Sequence, residues 1–268
     1  MLKKIVLKAY NLVLKNYKNM TSEINKDAIF VLGNQKSGTS AIVGLLAGLS
    51  DKSVTIDTKG IYEPIQSNIH SGNTSFSTFV KKNKYDFSPS LIKEPSFTFL
   101  YKDIRNIFNS RKNVFIVRDP RDNIRSILNR LNLPGHVENF EYDTPELWET
   151  VSEDWKLTIT NNFLHVKSSN DIGKMAERWV KAIEVYEQYQ DEFVLLRYEE
   201  FKMDKNKEIK NLAKKLDLPE INDISSKLDH QFQPKGNNDM SHEDFFGKNN
   251  LELINSICEK HMKKYGYK

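Results

Sequence analysis

The sequence predicts an α/β fold of three layers, a central parallel sheet with helices on both faces, and three stretches carry that expectation. Ile29 to Leu46 reads as a strand, a polar loop bounded by Gly33 and Gly38, and an apolar pattern of helical period at Ile42, Val43, Leu45 and Leu46. Val114 to Val117, introduced by Asn113, is an unbroken apolar run of the kind a parallel sheet buries on both faces, and a helical pattern follows it at once. Phe193 to Leu196 has the same character and comes directly after a long helical pattern. Strand alternating with helix is the sequence form of a parallel sheet covered on both sides.

Taken in order, residues 1–26 predict a basic amphipathic helix, set off from a single α/β domain over 27–268. Leu2, Ile5, Val6, Ala9, Leu12 and Val13 fall close together on a helical period, and Lys3, Lys4, Lys8, Lys15 and Lys18 interrupt every apolar run before it reaches the length of a signal-peptide core or a membrane span. Such a helix suits peripheral contact with an anionic membrane surface, or packing on the domain or a partner. In the loop that follows the first strand, Gly33 and Gly38 let the backbone turn tightly and come close to an anion, and the amides opening the next helix favour negative charge. Ser53 to Ile56 predicts a short strand. The Ser-, Asn- and Lys-rich stretch Gln66 to Ser88 is expected to line a substrate cleft, with a short helix over Phe76 to Lys82.

Leu91-Ile92 leads into Lys93-Glu94-Pro95, and Phe97, Phe99, Leu100, Ile104, Ile107 and Phe108 predict a helix. The strand at 113–117 ends in Arg118-Asp119-Pro120, where the aspartate can cap and the proline open a helix carrying Ile124, Ile127 and Leu128. Ligands of such sheets bind beyond the carboxyl ends of the strands, which places Arg118 among the candidate site residues. Leu131 to Asp171, with Trp148 and Trp155, is irregular and expected to cap one side of the cleft. A helix over Met175 to Gln190 precedes the strand Phe193 to Leu196, a further helix covers Glu208 to Leu216, and Leu251 to Tyr265 predicts the last one.

The composition narrows the function. Among 268 residues, 40 Lys and Arg against 36 Asp and Glu leave a net charge of +4, and 38% hydrophobic with 28% charged residues is a globular balance. That small excess suits an anionic small ligand; a nucleic-acid partner would call for a basic stripe with interleaved aromatics, and none is visible. The one cysteine, Cys258, rules out an intrachain disulfide and a thiolate cluster for zinc, and fits a reducing, cytoplasmic setting. Its place beside Leu251, Ile254 and Ile257 predicts a buried structural thiol.

Gly33 and Gly38 have the spacing of the Walker loop G-x-x-x-x-G-K-[ST], but Thr39 stands in the lysine's place and the loop's lysine is Lys36, two residues before the second glycine. The order Lys36-Ser37-Gly38-Thr39-Ser40 after a buried strand resembles the 5′-phosphosulfate loop of the sulfotransferases that use 3′-phosphoadenosine 5′-phosphosulfate (PAPS). Val114 to Leu128, VFIVRDPRDNIRSIL, resembles the same family's strand and helix, in which a strand-end arginine and a serine eight residues later hold the cofactor's 3′-phosphate. The resemblance extends over nearly the whole chain, through Trp179, Val194 to Glu200, and Tyr265-Gly266-Tyr267. It implies a P-loop-like fold, cofactor contacts from Gln35, Lys36, Ser37, Gly38, Thr39 and Ser40, and a 3′-phosphate grip by Arg118 and Ser126. Lys235-Gly236 is similar to the R-K-G loop that closes over that phosphate, although Gln233-Pro234 precedes it and the arginine is absent.

The reaction the resemblance implies moves a sulfuryl group from a phosphate leaving group to an acceptor hydroxyl or amine, with adenosine 3′,5′-bisphosphate (PAP) left behind. Lys36 is the residue expected to stabilise the leaving oxygen, and Lys93 to neutralise the transferring group. The family's K-T-H pattern is replaced by Lys93-Glu94-Pro95, which removes its histidine base. Glu63-Pro64 is similar to the E-P of carbohydrate sulfotransferases, so Glu63 is the expected base, Glu94 the second candidate, and a saccharide or small polar alcohol the expected acceptor. No metal is expected, because the strand ends in Arg118 where a phosphoryl-transferring enzyme would place an aspartate for magnesium. A nucleotide or small-molecule kinase, and a non-catalytic membrane-surface or partner-binding module on the same scaffold, are the competing expectations.

Overall fold

The computed structural model describes residues 13–229 and 240–268; Lys235, Gly236 and the first twelve residues of the expected amino-terminal helix lie outside them. Helix covers residues 13–21, where Val13, Tyr17 and Met20 are exposed. The domain that follows is built on five strands, β1 (Ile29–Gly33), β2 (Val54–Ile56), β3 (Leu91–Lys93), β4 (Asn113–Val117) and β5 (Phe193–Arg197), all parallel in the order β2-β3-β1-β4-β5. β1 lies at the centre because it is apolar on both faces, and it carries the loop bounded by Gly33 and Gly38 at its carboxyl end. The register sets Val31 beside Lys93, Gly33 beside Ile116 and Val117 beside Arg197, so the loops leaving four of the strands open on one edge of the sheet.

Alternation along each strand sends side chains to two separate cores. Phe30, Leu32, Ile92, Phe115 and Val117 meet helices α1 (Pro120–Leu131), α2 (Asp171–Gln188) and α3 (His242–Lys264) on one face. Val31, Leu91, Val114, Ile116 and Leu196 meet the helix Thr39–Ser50 and the helix Lys205–Lys215 on the other. This is the expected three-layer α/β fold. Asp119 caps α1 by accepting the Arg121 N–H at 2.9 Å, with Pro120 at its first position, as the sequence predicts. Cys258 is fully buried in α3, its thiol pushed up by burial.

Three local expectations change. Leu91–Lys93 is a full sheet strand between β1 and β2, too short for its three residues to show a period. Pro95–Leu100 is a 3₁₀ turn before the α-helix Tyr101–Ile107, where one continuous helix is expected. Of the stretch 66–88, Gln66 reaches the cleft; Val80 is buried, and Phe76, Phe79 and Phe87 turn inward to pack their rings against Phe97, with Phe87 also against Phe108. Polar and charged residues around Phe76, Phe79 and Phe87 mask an aromatic triplet whose partners are distant in sequence.

Candidate active site

The carboxyl edge of the sheet opens into a cavity of about 480 Å³. Its floor is the loop after β1. Gly38 sits at φ +89°, and a Cβ there would meet the Tyr198 ring at 2.5 Å, so only glycine lets the loop lie flat on that ring. Lys36 also takes a positive φ, 66°. No side chain caps the helix that begins at Thr39, and its first turn holds no carboxylate, so its amino-terminal dipole is left for a ligand. Gln35, Lys36, Gly38, Thr39 and Ser40 all line the cavity. Ser37 does not: it is 1% exposed, and its Oγ accepts a hydrogen bond from Asn123 Nδ2 at 3.0 Å. Asn123 also donates to the Gln35 carbonyl at 2.7 Å, which ties the loop to α1. Gly38→Ala is expected to lower anion affinity at least about tenfold (~1.4 kcal/mol) while the protein stays folded; a bisphosphate titration beside a thermal melt checks both.

Arg118 and Ser126 line the same cavity. Arg118 Nη1 donates to the Lys36 carbonyl at 2.7 Å, and its guanidinium lies over the Tyr198 ring at 4.6 Å. Arg118 Nε is buried with no hydrogen-bond partner among the described residues. The strand end that carries it is held from behind. Trp179, fully buried, donates its indole N–H to the Arg118 carbonyl at 2.8 Å, and Glu199 accepts the Asp119 N–H at 2.9 Å while its other oxygen accepts the Tyr267 hydroxyl at 2.9 Å.

Lys93 lies at the end of β3, 3% exposed, with its ammonium on the Asp57 carboxylate. Burial and the cations Arg130, Arg118 and Lys93 bring the Lys36 ammonium down to about 8. Four cations, Lys93 among them paired with Asp57, gather round one loop. The lining also has an apolar part, Leu45, Tyr198, Phe201 and Leu228.

Glu63 is not brought into this group. It precedes α-helix Ile65–His70, whose first-turn amide at Ser67 donates to Glu63 Oε1 at 3.0 Å, and the residue does not form part of the cavity wall. A carboxylate just before a helix is captured by the unpaired amides of its first turn, a competition the Glu-Pro pattern does not display. Glu94 does line the cavity, 6% exposed; it accepts from Ser96 N and Oγ at 3.1 and 2.6 Å and from Thr58 N at 3.1 Å, and burial pushes its carboxyl up. Three donors leave one lone-pair position of its carboxylate open. Tyr62, Gln66, Asp154 and Trp155 also line the cavity, and sequence reasoning identified none of them by role.

A sulfotransferase-domain family profile matches residues 26–264. The chain belongs to the sulfotransferase family. Among solved structures, the sulfotransferase STF9 of Mycobacterium avium aligns with a TM-score of 0.59 at 11% identity, over 97% of this chain and 81% of that one. A sulfotransferase from Alicyclobacillus acidocaldarius aligns with a TM-score of 0.49 at 12% identity, over 88% and 97%. Mouse sulfotransferase SULT7A1, solved with PAP, aligns with a TM-score of 0.44 at 15% identity, over 94% and 92%. The search of curated protein sequences found no match. The expected sulfotransferase identity and fold therefore hold, and this sulfotransferase carries no helix, among its described residues, long and apolar enough to cross a membrane.

Proposed function

We propose that the chain transfers the sulfuryl group of PAPS to an acceptor hydroxyl or amine, with a saccharide or small polar alcohol as the acceptor class. The observation that carries this reading is the cation cluster Lys36, Lys93, Arg118 and Arg130 around a glycine loop, with Arg118 Nε buried and unpartnered at the strand end. A 3′-phosphate supplies the acceptor that this nitrogen lacks, and the residues present fit the cofactor's two anionic ends. When bound, PAPS supplies a sulfuryl group on a phosphate that can leave.

The chain's own residues do the rest. The Thr39 helix amides and the Lys36 ammonium hold the 5′ end and neutralise the oxygen on which charge develops. Arg118 and Ser126 hold the 3′-phosphate, the guanidinium as a planar fork and the hydroxyl as a single donor. Lys93, steadied by Asp57, faces the transferring group. Glu94 takes the acceptor proton; burial raises its basicity, and it stands at the cavity where Glu63 does not. Trp155 offers an indole face and Gln66 and Asp154 offer polar partners, a combination that suits a ring bearing several hydroxyls.

Calorimetric titration of the metal-free protein with PAP, ADP and ATP tests the reading. PAP is expected to bind at least about tenfold tighter than ADP, a difference of ~1.4 kcal/mol. No preference for the 3′-phosphate rejects it. Glu94→Gln is expected to lower kcat about 10²-fold or more with PAP affinity unchanged, and Glu63→Gln to leave both within about threefold. The reverse ranking returns the base to Glu63. Because the Glu94 carboxyl is raised, the acid limb of the kcat profile is expected above the ordinary carboxylate range, activity falling as the pH drops through it.

A further inference from the structure

Beneath the loop lies an arginine that the reading above does not use. Arg178, on α2, is fully buried. Its Nε donates to Asn34 Oδ1 at 3.0 Å and to Gln35 Oε1 at 3.2 Å, Nη2 to Gln35 Oε1 at 2.7 Å, and Nη1 to Asn161 Oδ1 at 2.7 Å. The guanidinium lies over the Phe99 ring at 4.4 Å and within 5.8 Å of Phe163. Among the described residues no carboxylate pairs with it, and burial alone brings it down to about 9. His70, stacked on Phe163 at 3.9 Å, is pushed down to about 4 by burial and by Arg178, so the guanidinium is the charge on that side of the loop.

An unpaired buried cation is costly, and amide oxygens relieve only part of that cost. Its three partners are side-chain amides, and two belong to the phosphate loop. An amide has one acceptor end and one donor end. With Gln35 Oε1 taken by Arg178, the Gln35 side chain, which lines the cavity, is left to offer its N–H end. Asn34 is turned the same way, its Oδ1 on Arg178 and its Nδ2 on Asn123 Oδ1 at 2.9 Å.

We propose that Arg178 is a positioning residue that sets the polarity of the loop after β1: by taking the Gln35 amide oxygen it leaves the Gln35 N–H end to the cavity, with Asn34 locked between Arg178 and Asn123, and its own unpaired charge is neutralised by the cofactor's 5′ anion. This rests on the cofactor reading above. Arg178 need not touch the cofactor, because it acts through Gln35 and through the field in a site of low dielectric. The 5′ anion is common to PAP and AMP, so the effect is shared by both, whereas Arg118 is the residue expected to set the preference for PAP over AMP.

Three variants test it, titrated with PAP and with AMP and followed by thermal melts. Arg178→Gln is expected to weaken both ligands by the same factor, about tenfold or more, with the preference for PAP intact, and Arg178→Lys to recover at least about threefold of the loss by keeping the charge. Gln35→Glu gives Arg178 the counter-charge it lacks; it is expected to fold with a melting temperature at or above that of the wild type and to lose at least about tenfold in PAP affinity. Should Arg178→Gln fail to fold, Arg178→Lys and Gln35→Glu carry the test. Arg178→Gln within twofold of wild type, Arg178→Lys no better than Arg178→Gln, or Gln35→Glu with unchanged affinity overturns the proposal. If wild type itself fails to bind PAP, the cofactor reading falls instead.

Discussion

Replacing Lys36 with methionine is expected to lower kcat about 10²- to 10³-fold, the range that follows removal of one preorganised donor to developing negative charge, or ~2.7–4 kcal/mol. Methionine keeps the length of the side chain and, at a residue of positive φ, asks no new backbone conformation of the loop. PAP binding is expected to weaken far less, because the helix amides, Arg118 and Ser126 remain. A variant that lost affinity and kcat in equal measure would assign Lys36 to ground-state binding and overturn its role at the leaving oxygen. The same residue gives a pH signature. In the free protein its ammonium titrates near 8, below its usual value, so the folded state releases the proton before the unfolded chain does. Stability from this group therefore increases with pH between about 8 and the ordinary lysine range. An arriving anion reverses the shift, and PAP binding at pH 8.5 is expected to take up a proton. Calorimetry in two buffers of different ionisation enthalpy reads that uptake, which should vanish in Lys36→Met.

Arg118→Ala is expected to erase the preference for PAP over ADP, with PAP weakened at least about tenfold (~1.4 kcal/mol). On the proposed reading the guanidinium has two tasks, since the side chain expected to hold the 3′-phosphate also holds the Lys36 carbonyl and covers Tyr198. Arg118→Lys keeps charge without the fork and is expected to restore little. Ser126→Ala, which removes one hydroxyl donor, is the milder companion. If Arg118→Ala weakened PAP and ADP equally, the arginine would be serving the loop rather than the 3′-phosphate.

What could be read in the sequence was what is local. The strand, loop and helix from Ile29 to Ser50 depend on glycines at two fixed spacings, and Arg118 with Ser126 on a strand that runs straight into a capped helix. Where Glu63 points could not be read from the Glu-Pro pattern, because the direction of a carboxylate is decided by which amides compete for it, here that of Ser67. Phe76, Phe79 and Phe87 were hidden in a polar stretch because their partners Phe97 and Phe108 come from beyond the next strand. Arg178 did leave a signal. It stands three residues after Met175 and four before Ala182, both buried, so it lies on the apolar face of its helix, where a charged residue calls for an explanation.

The three tryptophans divide the molecule in a way that makes it optically self-reporting. Trp179 is sealed in the core with its indole on the Arg118 carbonyl, Trp148 is buried against Phe140, and Trp155 alone faces the cavity. Emission from Trp155 is expected to respond to a ligand in the proposed acceptor part of the cavity, and that of Trp179 to a change at the strand end that bears Arg118. With Trp148 replaced by phenylalanine, two indoles in two dielectric settings remain. Wavelength-resolved fluorescence then separates donor occupancy from acceptor occupancy in one cuvette, with no label attached.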